Sequence, residues 1–121
     1  MKILILDDDK NYCKLVSEYM KQCGIENVAT SSVVEAREIL STQTIDKCVV
    51  DVLMPEENGI DFIRTFKNSS TKFYIMTGDL EHPQVINRLN DKSLLFSGIV
   101  IKKDLIQGLR EIANGHYQTV S

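Results

Sequence analysis

Short apolar runs alternate along the chain with stretches whose hydrophobic residues recur at helical spacing. ILIL (3–6), bounded by Lys2 and Asp7, predicts a buried strand. From Tyr12 the apolar positions are Leu15, Val16, Tyr19, Met20 and Cys23, one face of a helix, and Gly24 stands where a C-terminal cap belongs. NVATS (27–31) predicts a second strand, and Ser32 with Glu35 forms a capping-box pattern opening a helix through Leu40. KCVVDV (47–52) is the next buried strand, followed by a loop from Met54 to Gly59 and a helix carrying Ile60, Phe62, Ile63 and Phe66. KFYIMT (72–77) predicts a fourth strand, and Pro83 opens a short helix with Val85, Ile86 and Leu89 on its apolar side. GIVI (98–101) is the fifth strand, and Leu105, Ile106, Leu109, Ile112 and Ala113 make a final helix ending near Asn114-Gly115.

Five nearly continuous apolar strands alternating with five helices predict an α/β domain, a parallel sheet covered on both faces. An open sheet of this kind binds ligands beyond the carboxyl ends of its strands. The residues at those ends are Asp7, Asp8 and Asp9, then Thr30-Ser31, Asp51, Thr77 and Lys102. Acidic groups, hydroxyls and a lysine are thus expected along one sheet edge.

Composition narrows the function classes. The 121 residues suit one domain spanning 1–121, with 43% hydrophobic and 26% charged residues. A net charge of -3 with both signs scattered supplies no basic stripe for direct nucleic-acid binding. Three cysteines, Cys13, Cys23 and Cys48, lack CxxC spacing and predict neither a disulfide framework nor a zinc site. No signal-peptide pattern and no run approaching membrane-spanning length is visible, so a cytoplasmic location without membrane contact is expected.

The strand-end residues permit a specific chemistry. Carboxylates only a few ångströms apart repel by several kcal/mol unless a cation bridges them. A hard divalent cation, Mg²⁺ before others, is the natural counter-charge for Asp7, Asp8 and Asp51. It would neutralise a phosphoryl group beside Asp51, whose carboxylate can itself be the nucleophile. Thr77 can hydrogen-bond a phosphoryl oxygen and Lys102 can pair with another.

These residues carry a resemblance. The Asp-Asp pair after strand 1, VVDVLMP…NG, IMTG after strand 4 and IVIK after strand 5 make the chain similar to the receiver (phosphoacceptor, CheY-like) domain of two-component response regulators over nearly its whole length. The resemblance implies a (βα)5 flavodoxin-like sheet of order 2-1-3-4-5. It implies Asp51 as the phosphorylated residue and Asp8 as a direct Mg²⁺ ligand. Asp7 would act mainly through water, and the backbone carbonyl of Leu53 would be a further ligand. Thr77 would be the switch hydroxyl and Lys102 the partner of the phosphoaspartate. The implied donor is a sensor histidine kinase or histidine phosphotransfer protein. A homodimer through the face of the fourth helix, fifth strand and fifth helix is common in the family. Such a domain is a signalling switch rather than an enzyme, apart from self-catalysed aspartyl phosphorylation and dephosphorylation. Asp9 has no fixed role in the pattern and is read as a first-turn carboxylate favoured by the helix dipole.

Three departures bear on the switch. Lys103 stands where the family usually has proline, and the stretch from Lys102 to the final helix is short; Lys103 is therefore an alternate to Lys102. Ile99 occupies the position of the family's rotating aromatic. Leu53 is apolar where polar residues often orient the hydrolytic water, so slow self-dephosphorylation is expected. His82 and His116 read as turn and tail residues, Cys48 as core, and Glu56-Glu57 as a solvated loop.

Two other readings fit parts of the pattern. A haloacid-dehalogenase-like phosphatase would use Asp7 as nucleophile and Asp9 as acid/base. Asn11 stands where that family prefers Thr or Val, no acidic pair follows Lys102, and Asp51 would be left without a role. A degenerate receiver that binds partners without phosphorylation is allowed by Lys103 and Ile99, whereas the full acidic set with Thr77 and Lys102 argues for competence.

Overall fold

A computed structural model describes residues 1–55, 57–66, 69–78 and 97–113. Five parallel strands, β1 (Lys2–Leu6), β2 (Glu26–Thr30), β3 (Lys47–Asp51), β4 (Lys72–Thr77) and β5 (Gly98–Ile101), form one sheet of order β2-β1-β3-β4-β5. The described helices are α1 (Lys10–Gln22), α2 (Val33–Thr42), α3 (Gly59–Arg64) and α4 (Lys102–Ala113). The helix expected after Pro83, together with His82 and His116, lies outside the described residues.

Alternation along each strand divides the core in two. Leu4, Leu6, Cys48, Val50, Phe73 and Ile75 face α2 and α3, packing with Ala36, Ile39, Phe62 and Ile63. Ile5, Val49 and Met76 point to the other face and pack with Val16 and Met20 of α1 and Leu109 of α4. Burial on both faces explains why the inner strands β1, β3 and β4 read as unbroken apolar runs, whereas the edge strand β5 leaves Ile99 exposed. All three cysteines are free, and burial of Cys48 pushes its thiol far above the usual range, leaving it an inert core residue.

Helix ends follow local chemistry. Asp9 is the N-cap of α1, its Oδ1 accepting from the backbone N–H groups of Asn11 and Tyr12 at 2.9 and 3.2 Å. After α1, Gly24 takes φ 74°, the left-handed conformation that spares a side chain its Cβ clash. The Ser32 hydroxyl accepts from Glu35 N–H at 3.1 Å, as the capping pattern predicts. Phe66 falls past the end of α3, which stops at Arg64.

Two local expectations change. The final helix begins at Lys102 rather than near Leu105, so β5 passes into α4 without an intervening loop. Its polar first turn carries no apolar period, which hid its start from the hydrophobic pattern. Glu57, expected to be solvated, is half-buried and ion-paired with Arg37 of α2 at 2.5 Å. The Arg37 guanidinium also donates to Thr65 Oγ1 at 2.9 Å and lies 4.8 Å from the Phe62 ring centroid. Arg37→Ala is expected to cost about 1 kcal/mol, read as a lowered midpoint in urea at unchanged slope.

Candidate phosphoacceptor and metal site

The parallel register brings the carboxyl ends of β1, β3 and β4 to one edge. Leu6 pairs with Val50, and Asp51 pairs with Met76, so Asp7, Asp51 and Thr77 emerge side by side. All three are buried, at 0%, 5% and 2% exposure, whereas Asp8 is exposed. Asp8, Asp9, Asp51, Leu53, Thr77 and Lys102 line an open cleft of about 380 Å³. Lys103 is exposed at the next helical position, and Ile99 is 45% exposed on β5. The cleft therefore takes in Lys102 of the two lysine candidates.

Asp7, Asp8 and Asp51 each offer a carboxylate oxygen within 4.8 Å of the others. Hard cations take such all-oxygen sets, with carbonyl and water oxygens completing the shell. One Asp7 oxygen supports this fit. Asp7 Oδ1 accepts from Asp9 N–H at 2.8 Å. Asp7 Oδ2 is buried and accepts no hydrogen bond, although Lys102 Nζ lies 2.6 Å away. A carboxylate oxygen buried in that position needs a cationic partner, which the Lys102 ammonium supplies here.

Electrostatics agree with crowding of negative charge. Burial raises the Asp51 carboxyl to about 7; the Asp7 charge and the Asp8 side chain add to this, while Lys102 and the Leu53 N–H oppose it. Burial likewise lifts Asp7 above the usual carboxylate range against the pull of Lys102. For Lys102, burial alone would lower the value, but Asp7 and Asp51 outweigh it and hold the ammonium charged. Lys102 Nζ also sits 3.4 Å from Asp51 Oδ2, so one lysine serves both buried carboxylates. Tyr12 is pushed well above the usual phenol range by burial and by Asp7 and Asp51, so its hydroxyl keeps its proton.

Two further residues support the site, Gly59 from the NG motif and Tyr12, whose sequence neighbours give no sign of its role. Gly59 opens α3 directly beneath the site, and a Cβ there would fall inside the Asp51 backbone carbonyl oxygen. Tyr12, one of several apolar positions on α1, donates its hydroxyl to the Lys102 carbonyl at 2.9 Å across 90 residues of sequence. A tyrosine within an apolar helical stripe reads as core, and nothing nearby in sequence names the hydroxyl's partner.

A parallel sheet of order 2-1-3-4-5 defines a flavodoxin-like fold, and here its carboxyl edge carries an acidic cluster and a lysine. The response regulator receiver domain model matches residues 3–111. The chain belongs to that family, the receiver domains of two-component systems, which pair with histidine kinases. It is 31% identical over 75 residues to the transcriptional regulatory protein CpxR of Escherichia coli K12, a match covering 62% of this chain and 32% of that protein. It is 30% identical over 86 residues to the response regulator SaeR of Staphylococcus aureus USA300, covering 69% of this chain and 37% of that protein. These matches thus span about a third of the curated relatives' length. Among solved structures, a CheY-like receiver from Methanospirillum hungatei JF-1 superposes with TM-score 0.70 at 17% identity, covering 95% of this chain and 94% of that one. The chemotaxis response regulator CheY4 of Vibrio cholerae gives TM-score 0.69 at 21% identity, covering 92% and 97%. At these identities the structures speak to the fold alone. No helix among the described residues is long and apolar enough to cross a membrane.

Proposed function

We propose that the chain is a phosphorylation-dependent switch in which Asp51 accepts a phosphoryl group from a sensor histidine kinase or histidine phosphotransfer protein. The observation that carries this reading is the convergence of Asp7, Asp8 and Asp51 on a cleft that also holds Thr77 and Lys102. An Asp51 carboxylate oxygen attacks phosphorus while the bond from phosphorus to the donor histidine nitrogen breaks; the imidazole leaves with that electron pair and takes up a proton. Asp7, Asp8, Asp51 and the Leu53 backbone carbonyl would hold Mg²⁺, which when bound neutralises charge on the transferred group. Lys102, already 3.4 Å from Asp51, pairs with a phosphoryl oxygen, and Thr77 hydrogen-bonds another. The aspartyl phosphate adds negative charge at the sheet edge, which draws on Thr77 and Lys102 and so reaches β4, β5 and α4.

Residues 1–121 act in this reading as one receiver domain in the cytoplasm, without membrane or direct nucleic-acid contact. The face carrying β5 and α4 serves partner choice, including a homodimer. Slow loss of the phosphoryl group follows from apolar Leu53 at the cleft.

Incubation with acetyl phosphate and Mg²⁺ is expected to add the mass of one phosphoryl group to the intact protein, and Asp51→Asn to abolish the addition. An adduct that persists in Asp51→Asn would move the nucleophile elsewhere, with Asp7 first to be tested. The degenerate-receiver reading rests on Lys103 in the place of the family's usual proline and on Ile99, exposed on β5. It predicts no adduct on the wild type and no response to beryllofluoride.

A further inference from the structure

We propose that Tyr12 is a positioning residue for Lys102, holding its ammonium at the reach from which it serves Asp51. The inference rests on the role given above to Asp51.

Four contacts close on themselves. Asp9 N–H donates to Asp7 Oδ1 at 2.8 Å, and Asp9 Oδ1 accepts from Tyr12 N–H at 3.2 Å. The Tyr12 hydroxyl donates to the Lys102 carbonyl at 2.9 Å, and Lys102 Nζ returns to Asp7 Oδ2 at 2.6 Å. The same tyrosine meets Lys102 at both ends, because the ammonium lies 5.1 Å from the centroid of its ring. Such a placement attracts the cation to the ring's negative face and narrows the rotamers open to a long side chain.

The placement answers a need created by this chain. β5 runs straight into α4, and Lys102 is the first helical residue, so no separate loop fixes its backbone. A carbonyl has two lone pairs, so Lys102 can accept the tyrosine hydroxyl without giving up its bond within α4. The phenol stays protonated beside Asp7 and Asp51, so the donor is retained. Asp9 gains a second role, because besides capping α1 it links Tyr12 to the carboxylate that Lys102 contacts. The bland alternative is a core tyrosine whose hydroxyl merely satisfies a nearby carbonyl, since Tyr12 also packs against the core between the sheet, α1 and α4.

Tyr12→Phe separates the two, since it keeps the ring and removes the donor. In the 121-residue chain labelled with nitrogen-15 lysine and free of divalent cation, the wild-type Lys102 ammonium is expected to give a resolved, exchange-protected resonance. In Tyr12→Phe that resonance should merge with those of exposed lysines. With Mg²⁺ present, beryllofluoride affinity should fall about three- to tenfold, the loss of one hydrogen bond, while affinity for Mg²⁺ alone stays within about twofold. Tyr19→Phe, which removes a hydroxyl that accepts from Arg110 Nε of α4, should leave both readouts unchanged. A wild-type Lys102 resonance in Tyr12→Phe overturns the proposal. So does a shifted resonance with unchanged beryllofluoride affinity, because Lys102 would then be held without serving Asp51. If the wild type itself ignores beryllofluoride, the role of Asp51 fails, and the resonance alone decides whether Tyr12 holds Lys102.

Discussion

Gly59→Val is expected to lower stability by about 3 kcal/mol or more and to disable the site together with the fold. A Cβ on Gly59 would overlap the Asp51 carbonyl oxygen, lie 2.9 Å from the carbonyl carbon and press on Val50 Cγ1 at 3.1 Å. These atoms are the buried end of β3, and backbone cannot swing aside as a surface side chain can. The Gly59 N–H also donates to the Val52 carbonyl at 3.1 Å, so retreat of α3 would forfeit that bond. Relief must therefore come from displacing Asp51, the central carboxylate of the cleft. Against a typical domain stability of about 5–15 kcal/mol, the loss is large. Urea unfolding reads it as a lowered midpoint. Gly108→Ala is the matched contrast, because Gly108 lies within α4 with open space where the Cβ would go. There the better helix former should raise stability by about 0.5–1 kcal/mol. Equal effects at the two glycines would contradict the close approach at Gly59.

The second large effect concerns buried charge. Without divalent cation, the protein should lose stability as pH rises from about 4 to about 7, between the unfolded and folded values of Asp51. Asp51 has its folded-state value raised from 3.8 to about 7, so its protonated form is the one folding favours. A raised carboxylate contributes stability that is complete below its unfolded value and is lost as pH climbs through the folded value. Asp7 is shifted in the same direction. Lys102 is raised as well, but its stabilising charge persists throughout this window. Asp51→Asn removes the ionisation and should make the cation-free protein more stable than wild type at the alkaline end, by about 1–2 kcal/mol once solvent screening is allowed for. The difference between the two proteins cancels histidine titration elsewhere in the chain. Mg²⁺ should reverse the ranking, because it binds the ionised carboxylates and stabilises in proportion to its occupancy. Calorimetry in chelator and in Mg²⁺ at both pH values makes the comparison. A wild type and Asp51→Asn that remain parallel across pH in chelator would show that Asp51 ionises without penalty.

The two effects meet at one place. Gly59 lets α3 start close beneath the end of β3, against the backbone that carries the carboxylate whose ionisation the cation must offset. Stability and cation binding are therefore set against each other at Asp51: the cation-free fold bears a cost that the bound cation removes. A site arranged in this way is responsive to charge, which suits a signalling domain.

Much of this was legible along the chain. A strand buried on both faces must be apolar throughout, so ILIL, KCVVDV and KFYIMT stood out, with GIVI as an apolar run at the sheet edge. Polar residues ending parallel strands must arrive at the same edge. Asp7, Asp8, Asp51, Thr77 and Lys102 could therefore be placed together from residue order alone. Asp9 was assigned to the first turn of α1, and the structure places it at the cap itself.

Tertiary structure decided what local pattern could not carry. That α4 begins at Lys102 depends on how β5 meets the helix, and its polar first turn offers no period to read. The Arg37–Glu57 pair needs α2 and the loop after β3 to be neighbours, and Tyr12 finds its acceptor 90 residues away. The choice of Lys102 over Lys103 is likewise geometric, because consecutive helical residues point about 100° apart and only one can reach the cleft. Residue type and period determined the strands and the chemistry at their ends. Which side chains hold that chemistry in place was settled by packing between segments distant in sequence.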